Sequence, residues 1–243
     1  MKRDVATLRL YENSWSTMQI TEIYSSIQGE SSFAGLPCIF VRLTGCNLRC
    51  VWCDSEYTFT GGKKMSMTEV LAEVQRLAPV KMVEITGGEP MLQEREAAPL
   101  MQELVGLGYT VLLETSGERP LANVPSEVHK IVDVKCSHSG EGDTFNLSNL
   151  QAIGKRDEIK FVLSDRADYE FARDFTRQHG LVSLAGGVIF SPAFRKDARG
   201  ARDSSHCLVD PRELAEWILA DGLNVRLGLQ LHKFIWQPET KGV

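Results

Sequence analysis

The chain has 243 residues, of which 43% are apolar and 24% charged, and its formal net charge is −5. Such a composition fills a core, and the length suits one large domain. It lacks the basic surplus expected of a nucleic-acid binder, and no apolar run approaches the roughly 18 residues of a bilayer span, so neither nucleic acid nor membrane is an expected partner. The N-terminal stretch MKRDVATLRLYENSW starts basic but has no apolar segment, so a cytoplasmic, reducing setting is expected. Clustered cysteines there hold metal more often than they form disulfides.

In chain order, short β-branched runs predict strands at 37–43 (PCIFVRL), 81–86 (KMVEIT), 109–115 (YTVLLET), 129–135 (HKIVDVK), 158–163 (EIKFVL) and 187–190 (GVIF), with a weaker one at 224–230 (NVRLGLQ). Helical patterns fall between several of them. SMTEVLAEVQRLAP opens on a capping box, Ser66 with Glu69, and sets Val70, Leu71, Val74 and Leu77 on one face. APLMQELVGLG, ADYEFARDFTRQHG and DPRELAEWILADG each close near a glycine. Alternation of strand and helix predicts a parallel sheet with right-handed crossovers. Residues 116–128 and 136–157 carry little helical pattern, which argues against a complete eight-unit barrel. The expected fold is α/β: a partial, open barrel of about six mainly parallel strands with few long helices.

Chemistry in such folds gathers at the carboxyl ends of the strands. The first predicted strand runs into Thr44, Gly45 and then GCNLRCVWCDS, with Cys46, Cys50 and Cys53 at C-x3-C-x2-C spacing. The second ends at Thr86-Gly87-Gly88-Glu89-Pro90, the third at Glu114-Thr115-Ser116-Gly117, the fourth at Asp133-Val134-Lys135-Cys136-Ser137 and the sixth at Ser191-Pro192. Three clustered thiols suit zinc or an iron–sulfur cluster. A structural zinc ion wants a fourth protein ligand, such as Cys38 or a distant histidine. A cubane could be held at three corners with the fourth left open. Spacing alone leaves both readings standing. Cys38, Cys136 and Cys207 stand apart and read as small buried apolar residues.

C-x3-C-x2-C with an aromatic before its last cysteine, followed by a strand ending in GGEP, resembles the radical S-adenosylmethionine superfamily. The segments EIYSSIQGESSFAGLPCIFVRLTGCNLRCVWCDSEYTF, ITGGEPMLQ, ETSG, DVK, IKFVLS and LQLHKFIW run in order from residue 22 to 236. Together they resemble the 7-carboxy-7-deazaguanine synthases. The resemblance implies ring contraction of 6-carboxy-5,6,7,8-tetrahydropterin to 7-carboxy-7-deazaguanine with loss of ammonia, on the route to queuosine. It implies a [4Fe-4S] cluster on Cys46, Cys50 and Cys53, with S-adenosylmethionine as a regenerated source of the 5′-deoxyadenosyl radical. It places the methionine end of that cofactor on Gly88 and Glu89. Gly87 and Gly88 would admit the ligand where a Cβ would not, and Glu89 would accept from its ammonium. It places the nucleoside on Ser116, on Lys135, Cys136 and Ser137, and on Ser191, Pro192, Ala193 and Phe194. Many relatives read Ser-Pro-Lys where this chain reads Lys135-Cys136-Ser137.

For the substrate the resemblance implies Ile27, Gln28, Gly29, Thr86, Gln230, His232 and Pro238, with Arg42 on the carboxylate. Gln230, His232 and Lys233 are expected in the last strand. Backbone amides around Asn47 and Arg49 are expected to bond the cluster sulfurs. Mg2+ would sit on Ser55, where relatives carry threonine. Residues 1–243 would form one domain, with a cluster loop at 44–65 and a variable basic loop at 193–207. The implied partners are a flavodoxin- or ferredoxin-like electron donor and a second copy in a homodimer. A glycyl-radical activase and a zinc-stabilised binding module are the alternatives.

Overall fold

The computed structural model describes residues 17–196, 204–236, 240 and 242. Its strands are β1 (Thr17–Ile27), β2 (Pro37–Leu43), β3 (Lys63–Ser66), β4 (Met82–Gly87), β5 (Thr110–Thr115), β6 (His129–Asp133), β7 (Glu158–Leu163), β8 (Gly187–Pro192) and β9 (Arg226–Leu227). Its helices are α1 (Met67–Arg76), α2 (Glu94–Gly106), α3 (Arg166–Gln178), α4 (Leu181–Leu184), α5 (Pro211–Ala220) and α6 (Leu231–Ile235). The strands form one open sheet in the order β3-β1-β2-β4-β5-β6-β7-β8-β9. From β2 to β9 every pairing is parallel, while β1 runs antiparallel to both β2 and β3.

The six parallel strands from β2 to β8 are the six that the apolar runs predict. They are buried on both faces, as β7 shows with all six of its residues buried. The two faces differ in kind. The outer face carries Ile39, Val41, Val83, Ile85, Leu113, Ile159 and Phe161 into one large core beneath the helices. The inner face begins as a small apolar cluster of Cys38, Phe40, Met82, Leu112 and Ile131. Continuing at period two toward the strand ends, it turns polar: Arg42, Glu84, Glu114, Asp133 and Lys160. The open barrel thus has an apolar base and a charged upper half.

The helices begin where their caps predict. Ser66 and Glu69 make both bonds of a capping box on α1, and Asp165 and Asp210 cap α3 and α5. The thin connections at 116–128 and 136–157 contain no α-helix, only single turns of 3-10 type such as Ser137–Ser139 and Leu147–Ala152.

Two strands lie outside the expected set. β1 (TMQITEIYSSI) is rich in Thr, Glu, Gln and Ser, so its apolar alternation is weak, yet Met18 and Ile20 are buried. β3 owes its place to backbone pairing with β1, which a four-residue segment cannot advertise. At the other end the expected strand 224–230 shrinks to Arg226–Leu227. His232 and Lys233 belong to α6 rather than to a strand, and Gln230 is its N-cap. Leu231 N–H donates to Gly29 O at 2.8 Å, so the chain turns inward over the barrel mouth instead of extending along the sheet.

Phe161 has no exposed surface and packs edge-on against Phe171, Phe175 and Phe190. Phe161→Ala is expected to destabilise the protein by about 3–5 kcal/mol through lost burial and the cavity left behind, measured by denaturant unfolding.

Candidate active site

The open barrel encloses a cavity of about 510 Å³ at the carboxyl ends of its strands. The three clustered cysteines form one side and the charged inner face the floor. No helix among the described residues is long and apolar enough to cross a membrane.

The cysteine loop leaves β2 through Gly45, whose φ of +105° is one that residues with a Cβ rarely adopt. Gly45 N–H donates to Thr58 O and Gly45 O accepts from Glu89 N–H, both at 2.8 Å, which pins the loop between the turn at 56–58 and the end of β4. Val51 N–H donates to Ser139 O at 2.9 Å. Arg49 lies 4.2 Å over the Phe59 ring and donates to the carbonyls of Cys46 and Leu48. Its own N–H donates to the Glu141 carboxylate, so the amide that reaches a sulfur is that of Leu48, on Cys46. Burial pushes the Cys46 and Cys50 thiols up, opposed at Cys50 by Lys135.

A structural zinc ion wants a fourth protein ligand beside the three thiols. Cys38, Cys136 and Cys207 are all buried away from the cavity wall. The loop suits a body with several corners, three of them held by thiolates.

The GGEP turn is built for close packing. A Cβ on Gly87 would strike the Leu43 backbone, and one on Gly88 would meet Gly45 O and lie 2.6 Å from Cys46 Cβ. Gly87 thus makes room for the end of β2 and Gly88 for the cysteine loop, a packing role beside the cofactor role expected of them. Glu89 is 1% exposed. One carboxylate oxygen accepts from Met91 N–H (3.0 Å) and Thr115 Oγ1 (2.7 Å). The other accepts from Ser116 N–H (2.8 Å) and Ser116 Oγ (2.6 Å). Four donors saturate it, so it fixes the end of β5 against the end of β4 and has no oxygen turned to the cavity.

The floor is a network of buried charge. Lys160 Nζ donates to Glu30 Oε2 at 2.6 Å and to Glu114 Oε1, with Asp133 Oδ2 at 3.9 Å. Lys135 donates to Asp133 at 2.7 Å. Burial alone would raise the Glu30 carboxyl, but Lys160 holds it down to about 2. Glu84 has no cation in contact among the described residues; burial and the nearby Glu114 push its pKa well above the usual carboxylate value, against a smaller pull from Arg42. Gln28 Nε2 donates to Glu84, and its Oε1 accepts from Glu30 N–H at 3.0 Å. Arg42 donates to Glu22 at 3.0 Å and to Tyr24 Oη at 3.1 Å, its guanidinium still on the cavity wall.

α6 closes the mouth. Lys233 pairs with Asp54 at 2.7 Å and sits 5.0 Å from the Phe194 ring centre. Gln230 Nε2 donates to Glu30 at 2.9 Å. Gly29 packs so tightly on His232 that no Cβ fits between them. Burial lowers the His232 pKa, keeping the imidazole neutral. Ser55 heads the turn at 56–58, but its hydroxyl makes no capping bond and lies 3.7 Å from Cys53 Sγ on the cavity wall.

The Radical SAM superfamily profile matches residues 40–148, from β2 through the cysteine loop to the turns after β6. The 7-carboxy-7-deazaguanine synthase of Koribacter versatilis is 73% identical, over 93% of this chain and all of that protein. This chain belongs to the 7-carboxy-7-deazaguanine synthase family. The synthase of Chlorobaculum tepidum is 40% identical over 93% of this chain and 97% of its own. The crystal structure of QueE from Escherichia coli has the same fold, with a TM-score of 0.69 at 23% identity, covering 93% of this chain and 99% of that one.

Measured against this synthase's cavity, the expected site residues divide. Cys46, Cys50, Cys53, Ser55, Gly88, Ser116, Lys135 and Phe194 line it, as do Ile27, Gln28, Gly29, Arg42, Thr86, Gln230 and His232. Glu89 backs the wall from behind. Cys136 and Ser137 do not line it: Cys136 is 1% exposed with its sulfur toward Asp168 O, and Ser137 is exposed outside. Ser191, Pro192 and Ala193 are also buried off the wall, with Ser191 facing a separate recess beside β9. Cys136 and Ser137 follow the end of β6, where the chain turns into the 3-10 segment Ser137–Ser139 and leaves the cavity wall. Pro238 lies outside the described residues, as do Arg199 and Arg202 of the basic loop. Sequence reasoning gave no site role to Glu30, Glu84, Glu114, Asp133 and Lys160. For the last four the signal was present: charges set within the apolar runs KMVEIT, YTVLLET, HKIVDVK and EIKFVL.

Gly88→Ala is expected to displace the cysteine loop while the fold survives. Iron and sulfide bound after anaerobic reconstitution should fall below wild type, with the circular dichroism spectrum unchanged.

Proposed function

We infer that this chain carries out the family's reaction: ring contraction of 6-carboxy-5,6,7,8-tetrahydropterin to 7-carboxy-7-deazaguanine with release of ammonia. One observation carries the reading. A three-thiol loop faces a floor of polar side chains across one cavity, within a chain 73% identical over 93% of its length to a named synthase. Bound together, a [4Fe-4S] cluster and S-adenosylmethionine supply one-electron chemistry that removes a hydrogen atom and returns it.

Cys46, Cys50 and Cys53 hold three irons and leave the fourth for the methionine end of the cofactor. Gly88 brings the end of β4 against that end, and Glu89 acts through Ser116, whose position it sets. Ser116, Lys135 and Phe194 bound the nucleoside. Ile27, Gln28, Gly29, Thr86, Gln230 and His232 surround the substrate ring. Gln28 is presented in one orientation, because Glu84 and Glu30 take up both ends of its amide. Arg42, held by Glu22 and Tyr24, turns its remaining donors to the substrate carboxylate. Ser55 supplies an oxygen to Mg2+, with the other ligands drawn from substrate and water. Asp54 stays with Lys233 and is not a ligand. α6 keeps water out of the mouth.

The described chain works as one catalytic unit. An electron donor of flavodoxin or ferredoxin type meets the cysteine loop where it reaches the surface at Val51, 60% exposed. A cytoplasmic location agrees with Cys38 and Cys136 standing as buried thiols outside any disulfide. A homodimer follows the family resemblance.

Anaerobic incubation of the reduced, reconstituted protein with the carboxy-tetrahydropterin is expected to yield the deazaguanine and one ammonia per turnover, with S-adenosylmethionine recovered intact. A preparation containing zinc and no iron would defeat the reading. Ser55→Thr is expected to keep the Mg2+ dependence, and Ser55→Ala to raise the Mg2+ needed for half-maximal rate roughly tenfold or more, measured by Mg2+ titration.

A further inference from the structure

The cavity floor has more hydrogen-bond acceptors than donors to fill them. Glu30 and Glu114 line it, as do Asp133 and Gln230, each of which also carries one buried oxygen without a partner among the described residues, Asp133 Oδ1 and Gln230 Oε1. Buried acceptors without donors are costly. Lys160 is the cation shared by the carboxylates, hydrogen-bonded to Glu30 at 2.6 Å and to Glu114, with Asp133 at 3.9 Å. Its side chain is 3% exposed. Two of its three hydrogens are taken by Glu30 and Glu114, and the third faces toward Asp133, so its charge serves the carboxylates around it. A bare metal ion is a poor occupant here, because a fixed ammonium already sits among the carboxylates.

We propose that Lys160 is a positioning residue: it holds Glu30 and Glu114 as a convergent pair of anionic acceptors for the hydrogen-donating edge of the substrate, its exocyclic amine and adjacent ring N–H. The inference rests on the reading under Proposed function and adds which edge of the ring faces the floor and what keeps that floor charged. The groups facing the pair are Gln28 before it, Glu84 on β4, Asp133 on β6 with Lys135 beyond it, and Gln230 and His232 at α6. Lys160 is the cation in direct contact with both members of the pair. Without it, two half-buried carboxylates face each other with no cation in contact, and such a pair tends to share a proton, which turns one acceptor into a donor.

The test uses the reconstituted holoenzyme with S-adenosylmethionine bound and compares Lys160→Met and Lys160→Arg with wild type. Calorimetric Kd for the carboxy-tetrahydropterin and KM should both rise roughly tenfold or more in Lys160→Met, with kcat changing less than KM. Pterin-independent cleavage of S-adenosylmethionine should stay within about twofold of wild type, since the cysteine loop is untouched. Between about pH 6 and 8 the wild-type Kd should be flat, whereas that of Lys160→Met should fall as pH rises and the carboxyls ionise. Lys160→Arg should recover most of the affinity and the flat profile. A wild-type Kd in Lys160→Met overturns the proposal. So does a pH-independent loss matched by an equal loss of pterin-independent cleavage. If Lys160→Met retains no cluster, Lys160→Gln is held to the same criteria. Wild-type protein that neither binds nor converts the pterin would sink the functional reading itself, whereas tight wild-type binding with an unaltered variant sinks only this assignment.

Discussion

A strand buried on both faces has nowhere to put a charge except against another charge, and that constraint organises this barrel. Lys160, Glu114, Glu84, Asp133 and Arg42 all point inward from central strands, where they are largely shielded from water. Most are therefore paired, as Lys160 is with Glu30 and Glu114, while burial raises the pKa of Glu84. Neighbours on adjacent strands make part of that pairing, so the parallel register of β4 through β7 also sets the polar floor.

Much of this was legible beforehand. β2 and β4–β8 declare themselves because a doubly buried strand must be a nearly continuous β-branched run, and α1 is announced by Ser66 and Glu69. The cysteine loop and GGEP are local in sequence, so their spacing is visible without a fold. What escaped notice depends on partners far along the chain. β1 is mostly polar and becomes a strand by pairing with β2 and β3. α6 forms where LQLHKFIW, apolar enough for a strand, is turned by its bond to Gly29. The packing roles of Gly87, Gly88 and Glu89 escaped for a similar reason. Proximity to a ligand and proximity to another loop demand the same small residue, and coordinates show the second.

The inner charges were legible in a weaker sense. One Glu in KMVEIT or one Lys in EIKFVL reads as an ordinary edge or surface residue if the strand is assumed half exposed. It becomes informative once the strand is recognised as central in a parallel sheet. The nucleoside segments show the converse. Lys135-Cys136-Ser137 and Ser191 to Phe194 sit at the right strand ends, yet only Lys135 and Phe194 reach the cavity, because the chain turns as soon as each strand stops.

The bond from Gln230 to Glu30 joins positions 200 residues apart. Together with the tie from Leu231 to Gly29, it makes closure of the barrel mouth wait on contacts between segments made far apart in time during synthesis. Until α6 has left the ribosome, the cysteines have no roof and Lys233 cannot reach Asp54. A chain folded only through β8 is thus a poor vessel for a radical reaction, and competence follows when α6 docks on the loop after β1.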